Sequence, residues 1–258
     1  MITGCTVCHK LDFVVYLQDS VTGELIQTSQ VEFFCGGNQQ PAVRKEAGIY
    51  AFLNMGAGEA DMTVRADGYW EQRFQVVPET YSKREGAQAV PILWISMVPG
   101  VSCPQKRQLH IVSGKLVGID SICGFPCSGW QMRIRGFEKK TAVVKLFNPH
   151  GRYLYPVDYG IMDQEKKTFE QITVREQIAA EEIRILSPYP SKFTVNSPVD
   201  RIVKGVVEQR AYYLPLRPDV DSYLIRWTVR DRTYYRELNM RGDAWKSLDG
   251  KGGIPWDK

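Results

Sequence analysis

The residues best equipped for chemistry in this chain are its thiols and imidazoles, six cysteines and three histidines. Cys5-Thr6-Val7-Cys8-His9 has the spacing of c-type haem attachment, in which two thiols bond the vinyl groups and the histidine ligates iron. That chemistry belongs to exported proteins. The stretch Met1-Ile2-Thr3-Gly4-Cys5 lacks a charged region followed by an apolar core, so no secretory signal is read and haem is not expected. Cys5 and Cys8 could also join Cys123 and Cys127 in a four-thiolate zinc site. The two pairs stand far apart and in different modules, which makes metal the weaker alternative to free thiols. Cys35 and Cys123 follow apolar residues, in Phe33-Phe34-Cys35 and Ile122-Cys123, where cysteine behaves as a small hydrophobe.

The remaining titratable residues make no catalytic set. His110 lies in an apolar run and His150 in a turn before Gly151, and no nucleophile–base spacing accompanies either. Glu181 and Glu182 are adjacent, so their side chains diverge in a helix or a strand and form a poor acid–base pair. Asp219-Val220-Asp221 follows Pro218 and reads as a turn. No glycine-rich phosphate loop precedes a helix. Arg241-Gly242-Asp243 has the form of an adhesion tripeptide, a triplet common by chance. The expectation is a protein that is not an enzyme and carries no cofactor.

Composition sets the frame for those residues. The chain has 258 residues, 43% of them hydrophobic and 24% charged, enough apolar content for two or three small cores. The net charge of +4 is too small to argue for nucleic acid without a clustered patch. The densest basic cluster, Arg226, Arg230, Arg232, Arg236 and Arg241, includes Asp231 and Glu237 and reads as a solvated strand face. The longest nearly uncharged stretch, Ala87 to Cys103, is too short and too proline-rich to span a membrane. Cytoplasmic synthesis without a signal peptide, compatible with release as part of a particle, is the expectation.

Glycine and proline punctuate short alternating apolar runs throughout, the pattern of an all-β chain. Strands are expected at Leu11–Leu17, Val31–Cys35, Val43–Lys45, Ile49–Leu53, Asp61–Ala66, Trp70–Val77 and Val90–Val98, with turns at Asp19–Gly23 and Asp67–Tyr69. This is the grammar of a β-sandwich over 11–99, after a tail at 1–10. Pro99–Pro104 reads as a linker. A second β module, 106–240, takes strands at Leu109–Val117, Gln131–Gly136, Ala142–Phe147 and Arg152–Pro156, with 163 the point where a further division would fall. Thr168–Glu182 admits a short helix or two strands. Val199–Leu216 and Asp221–Leu238 read as a closing antiparallel set with a turn at Asp231-Arg232, and 241–258 as a tail.

The two modules repeat one order of strand, polar glycine turn and strand. Asp19-Ser20-Val21-Thr22-Gly23-Glu24-Leu25 with Gly48-Ile49-Tyr50-Ala51-Phe52 in the first matches Gly114-Lys115-Leu116-Val117 with Gly151-Arg152-Tyr153-Leu154 in the second. These motifs resemble the carboxypeptidase-regulatory-like (transthyretin-like) β-sandwich family. The resemblance implies tandem immunoglobulin-like or transthyretin-like sandwiches used as non-catalytic accessory modules. The second module departs from the pattern where Cys123–Ser128 replaces the polar turn. Ile92-Leu93-Trp94-Ile95-Ser96-Met97-Val98-Pro99 followed by Ser113-Gly114-Lys115-Leu116-Val117 is also similar to accessory proteins of phage-tail-like contractile injection systems.

That second likeness implies a structural or adaptor subunit whose partners are other protein subunits, with no nucleic acid and no membrane insertion. Sheet edges and terminal tails would make the contacts, and the candidate residues are Tyr223, Trp227, Tyr234, Tyr235, Trp245 and Trp256. The rival expectation is a cell-surface or carbohydrate-binding β-sandwich module. It would stack Tyr69-Trp70 or Tyr234-Tyr235 on sugar rings.

Overall fold

The computed structural model describes residues 10–55, 59–77, 90–103, 109–129, 131–186 and 194–241. These residues are all-β. Among them no helix is long and apolar enough to cross a membrane. The chain divides into two compact units, Met1–Gln105 and Lys106–Lys258.

The first unit is a sandwich of two four-stranded sheets. One has the order β4 (Val43–Glu46), β5 (Ile49–Leu53), β1 (Leu11–Asp19) and β8 (Ile92–Met97), with β8 parallel to β1. The other runs β3 (Asn38–Gln40), β2 (Val31–Cys35), β6 (Ala60–Ala66) and β7 (Gln72–Val76). Period-two alternation puts Phe13, Val15 and Leu17 inside, where they meet Phe33, Tyr50, Phe52, Met62 and Val64. The turn expected at Asp19–Gly23 forms. Asp19 Oδ1 accepts the main-chain N–H groups of Val21 and Thr22, each at 2.8 Å, and closes an Asx turn. Gly48 stands in the left-handed region at φ +72°, and a Cβ there would lie 2.8 Å from the Leu17 carbonyl. No other residue fits that turn.

The second unit pairs its strands differently. β11 (Met132–Glu138), β12 (Val143–Phe147), β15 (Glu182–Ile185), β14 (Thr168–Ala179), β13 (Asp158–Asp163) and β16 (Pro198–Arg201) close into a six-stranded antiparallel barrel. Ile134, Val144, Leu146, Ile172, Val174, Ile183 and Val199 are buried in it. Beside the barrel run two sheets. The first has the order β17 (Val203–Lys204), β10 (Ile119–Pro126), β20 (Ser222–Val229), β21 (Arg232–Asn239). The second is β18 (Val206–Glu208), β19 (Ala211–Leu216), β9 (His110–Lys115).

Several expectations change here for physical reasons. Thr168–Glu182 is β14 and the start of β15, so the short helix does not form. Asp163 ends β13 in a hairpin to β14, and the barrel passes through it unbroken. Cys123–Pro126 belongs to β10, paired with β20 from Cys123↔Arg226 to Pro126↔Tyr223, rather than to a turn. Arg152–Pro156 is not a strand. The buried Asn148 side chain binds both the N–H and the C=O of Arg152, and the Gln177 side chain takes the Leu154 N–H at 2.9 Å. Side chains thus occupy main-chain groups that a ladder would use. The last hairpin turns one residue earlier than expected, at Arg230-Asp231, both with positive φ.

Barrel and sheet approach closely at Gly160 of β13. A Cβ there would stand 2.6 Å from Phe125 Cδ2 and 3.0 Å from Ile202 Cγ2. The Phe125 ring is fully buried and stacked on Phe169 with centroids 5.5 Å apart, so it has no room to retreat. Gly160→Ala is expected to lower unfolding free energy by about 1–3 kcal/mol through overpacking. Adding Phe125→Leu should recover part of that loss. Strictly additive effects in chemical denaturation of the four-variant cycle would show that the two sites do not press on each other.

Candidate functional site

Two places in the described residues gather functional side chains. The first is the seam between barrel and sheet. On the outer face of the barrel, β13 and β14 set Asp158 opposite Thr173, Gly160 opposite Gln171 and Met162 opposite Phe169. The facing sheet brings Lys204 from β17, Cys123 and Phe125 from β10, Leu224 and Arg226 from β20 and Tyr235 from β21. At one end the Lys204 ammonium and the Thr173 hydroxyl both contact the Asp158 carboxylate. In the middle Arg226 Nη2 donates to Gln171 Oε1 at 2.7 Å, with its guanidinium carbon 4.9 Å from the centre of the Phe169 ring. Tyr235 Oη donates to the Phe169 carbonyl at 3.0 Å. At the far end Lys167 meets Glu237 at 3.3 Å.

Electrostatics in the seam favour holding over reacting. Burial works to raise the Asp158 pKa, but the Lys204 charge and bonds from Lys204, Thr173 and Gln171 outweigh it and hold the carboxyl below its usual range. The Cys123 thiol is pushed up by burial, despite the neighbouring Arg226. Burial chiefly, with Glu237 next, lifts Cys127 to about 11. Both thiols therefore stay protonated at neutral pH, and the thiolate is the form that binds metal or attacks an electrophile. Among the described residues no group of three or more His, Cys, Asp or Glu is placed to hold a metal ion. Cys5, Cys8 and His9 lie outside the described residues.

The interaction candidates separate in the same way. Tyr223 and Trp227 are fully buried, which corrects the expectation that they face a partner. β20 runs between β10 and β21 and is covered on both faces over Tyr223–Ile225, so strand alternation does not mark an exposed side there. Tyr234 stacks on Trp227 at 5.8 Å and is half-buried. Tyr235 belongs to the seam. Trp245 and Trp256 lie outside the described residues. Glu181 pairs with Arg135 at 3.0 Å, Glu182 with Lys145 at 3.8 Å, and Asp221 with Arg241 at 2.9 Å. Sequence reasoning missed the seam because Asp158, Gln171, Lys204 and Arg226 share no local spacing; only register brings them together.

The second place is an open groove of about 610 Å³ in the first unit, lined by Gly68, Tyr69, Trp70, Glu71, Gly100, Val101 and Ser102. Two turns build it. The Gly100 N–H donates to the Gly68 carbonyl at 2.8 Å, and the Trp70 N–H to the Val98 carbonyl at 2.9 Å. Tyr69 Oη donates to Asp19 Oδ2 at 3.2 Å, and Asp19 is only 2% exposed. Burial above all, and then the Asp19 charge, raise the Tyr69 pKa far above its usual value, so the phenol remains a donor.

The two acids of the barrel give opposite pH signatures. Asp158, with a lowered folded pKa, contributes stability above its unfolded pKa that is lost as pH falls through the folded value. Asp200 accepts the Arg201 N–H at 2.7 Å, yet its pKa is raised, by burial first, against the pull of Arg217, Arg152 and Arg201. Its contribution is present below the unfolded pKa and lost as pH rises through the folded one. Asp158→Asn should cost about 1 kcal/mol at pH 7, since Lys204 is 48% exposed, and should flatten the acid limb. Asp200→Asn should steepen that limb and stabilise at pH 7. Urea unfolding from pH 3 to 8 reads both, and matching curves for the two variants would refute the assignment. In the native chain at pH 7, Cys123 and Cys127 should react with a thiol probe far more slowly than after unfolding; equal rates by peptide mapping would contradict the buried, protonated thiols. No protein-family model matches this chain, and no curated protein sequence does.

Proposed function

We propose that this protein is a non-catalytic structural or adaptor subunit of a large bacterial or phage-derived assembly, and that it takes its neighbours through sheet edges and its terminal segments. The observation that carries the reading is β21. It is eight residues long and terminal in its sheet. Its hairpin closes on the pair Val229↔Arg232 across two positive-φ residues. That geometry points the main-chain groups of Thr233, Tyr235, Glu237 and Asn239 away from β20. Strand addition there would give affinity through main-chain bonds and selectivity through alternate side chains.

The chemistry supports the same reading. The acidic pairs singled out in the sequence are tied to lysine or arginine, and two of the thiols are held protonated in a core cluster. The likeness of Ile92–Pro99 and Ser113–Val117 to accessory proteins of contractile injection systems gives the class of assembly, a tail-like particle. Adjacent sheath, tube or baseplate genes would accord with it.

Thr233→Pro removes an outward N–H from β21 while keeping the bonds to β20. This variant, and a chain truncated before Asp243, are expected to keep the β-rich circular dichroism of the full chain. In sedimentation from the native host, both should leave the heavy fractions in which the full chain travels. Normal incorporation of both variants, or a full chain found only as free monomer, would sink the proposal.

A further inference from the structure

We propose that the groove at Tyr69 and Trp70 is a binding site for a neutral pyranose ring within an oligosaccharide, a function separate from edge-to-edge assembly. Its volume of about 610 Å³ lies within the range of small-molecule sites, roughly 300–1,000 Å³. Two aromatic residues, Tyr69 and Trp70, line it beside Glu71 and Ser102. That mixture matches a ring with apolar C–H faces and a hydroxylated rim.

Charge selects among ligands. Glu71 is the one lining residue charged at neutral pH, since Tyr69 is held as the phenol. It is held by Arg65 at 2.7 Å and by Arg73 at 3.7 Å. The pairing offsets the charge of the carboxylate and orients it, and the carboxylate keeps acceptor sites for ligand hydroxyls. An anion would face Glu71, and a cation would face the two arginines. A wholly apolar ligand would strip water from Glu71 and Ser102 with nothing in return. A neutral polyhydroxylated ring meets all three conditions.

The site is formed before any ligand arrives. The buried Asp19 carboxylate anchors the Tyr69 hydroxyl, and the bonds Gly100 N–H to Gly68 C=O and Trp70 N–H to Val98 C=O fix the two turns. A Cβ on Gly100 would meet the Gly68 carbonyl oxygen at 3.3 Å and Trp70 Nε1 at 3.9 Å, so the glycine keeps the groove floor low. Little conformational entropy remains to be lost on binding. The lip is open, with Val101 88% exposed, which lets a polymer continue past the bound ring.

Saturation-transfer NMR on the full chain tests the site, with short neutral oligosaccharides of glucose, xylose, mannose and N-acetylglucosamine as probes. Saturation of ring C–H protons is expected for at least one, weakened at least about tenfold by Trp70→Ala. Ser102→Arg, which places a bulky group in the groove from an exposed position, should weaken it likewise without moving the unfolding curve. This second variant keeps the test independent of any loss of fold in Trp70→Ala. Three outcomes overturn the proposal: no saturation by any probe at millimolar concentration; saturation unchanged in both variants; or tighter binding of an acidic oligosaccharide than of every neutral one. None of these bears on incorporation of the Thr233→Pro chain, so the two readings fail separately.

Discussion

The second unit depends on one stack of groups pressed between barrel and sheet. Phe125 lies over Gly160, Phe169 stacks on Phe125, Arg226 covers Phe169, and Tyr235 meets Phe169 edge-on. A closed barrel satisfies its own ladders and has no main-chain edge to offer. Beyond the chain link through Ile202, whose N–H reaches the Asp158 carbonyl, its attachment to the sheet comes from side chains on its outer face. The stack supplies the apolar part of that attachment. The ion pairs Asp158–Lys204 and Lys167–Glu237 close its two ends, and the Arg226–Gln171 bond spans its middle. An arginine suits this place because a flat guanidinium can cover a ring and still donate sideways.

Local order was legible in the chain, and long-range pairing was not. Asp19, Gly23 and Gly48 announce their turns because the turn chemistry belongs to those residues. The strands of the first unit follow from alternation for the same reason. The second module repeats the grammar, yet its strands sort into a barrel and two flanking sheets, because a polar glycine turn specifies where a strand stops and says nothing of its partner. Ile119–Pro126 shows the limit most clearly. Its glycine and proline suggest a turn, while Phe125 and Cys123 earn their burial only against Phe169 and Ile202, far along the chain. Tyr223 and Trp227 fail in the opposite sense: alternation marked them as one face of a strand, and burial on both sides of β20 removed the distinction. The Tyr69–Trp70 pair was visible as aromatic residues, but the groove needed Gly100 and Ser102 from another strand end.

The two candidate places divide the chemistry of the chain. In the seam every strong group has a neighbour that spends its reactivity: Asp158 faces Lys204, Cys123 faces Arg226 across a buried register, and the thiols remain protonated. At the groove the Tyr69 hydroxyl is tied to Asp19 behind the surface, while Tyr69, Trp70, Glu71 and Ser102 stand at the lining. Satisfied groups beneath and polar groups at the rim are what distinguish a surface built to receive a ligand from one that merely carries aromatics.

Edges complete that division, since a β protein has to manage each strand that ends a sheet. β4 does so with Arg44, Lys45 and Glu46, β7 with Arg73, and β3 by its length of three residues. β8, Ile92–Met97, carries no charge at all. The chain instead ties the end of this strand to the turn between β6 and β7 of the opposite sheet, through the Trp70 N–H to Val98 C=O bond and the Tyr69↔Pro99 bridge. β21 uses Arg232, Arg236 and Glu237, which raise the cost of indiscriminate pairing. In the proposed edge pairing, a partner strand that supplies carboxylates opposite Arg232 and Arg236 would turn that cost into selectivity. The same charges that oppose indiscriminate pairing would thus define what the proposed partner must carry.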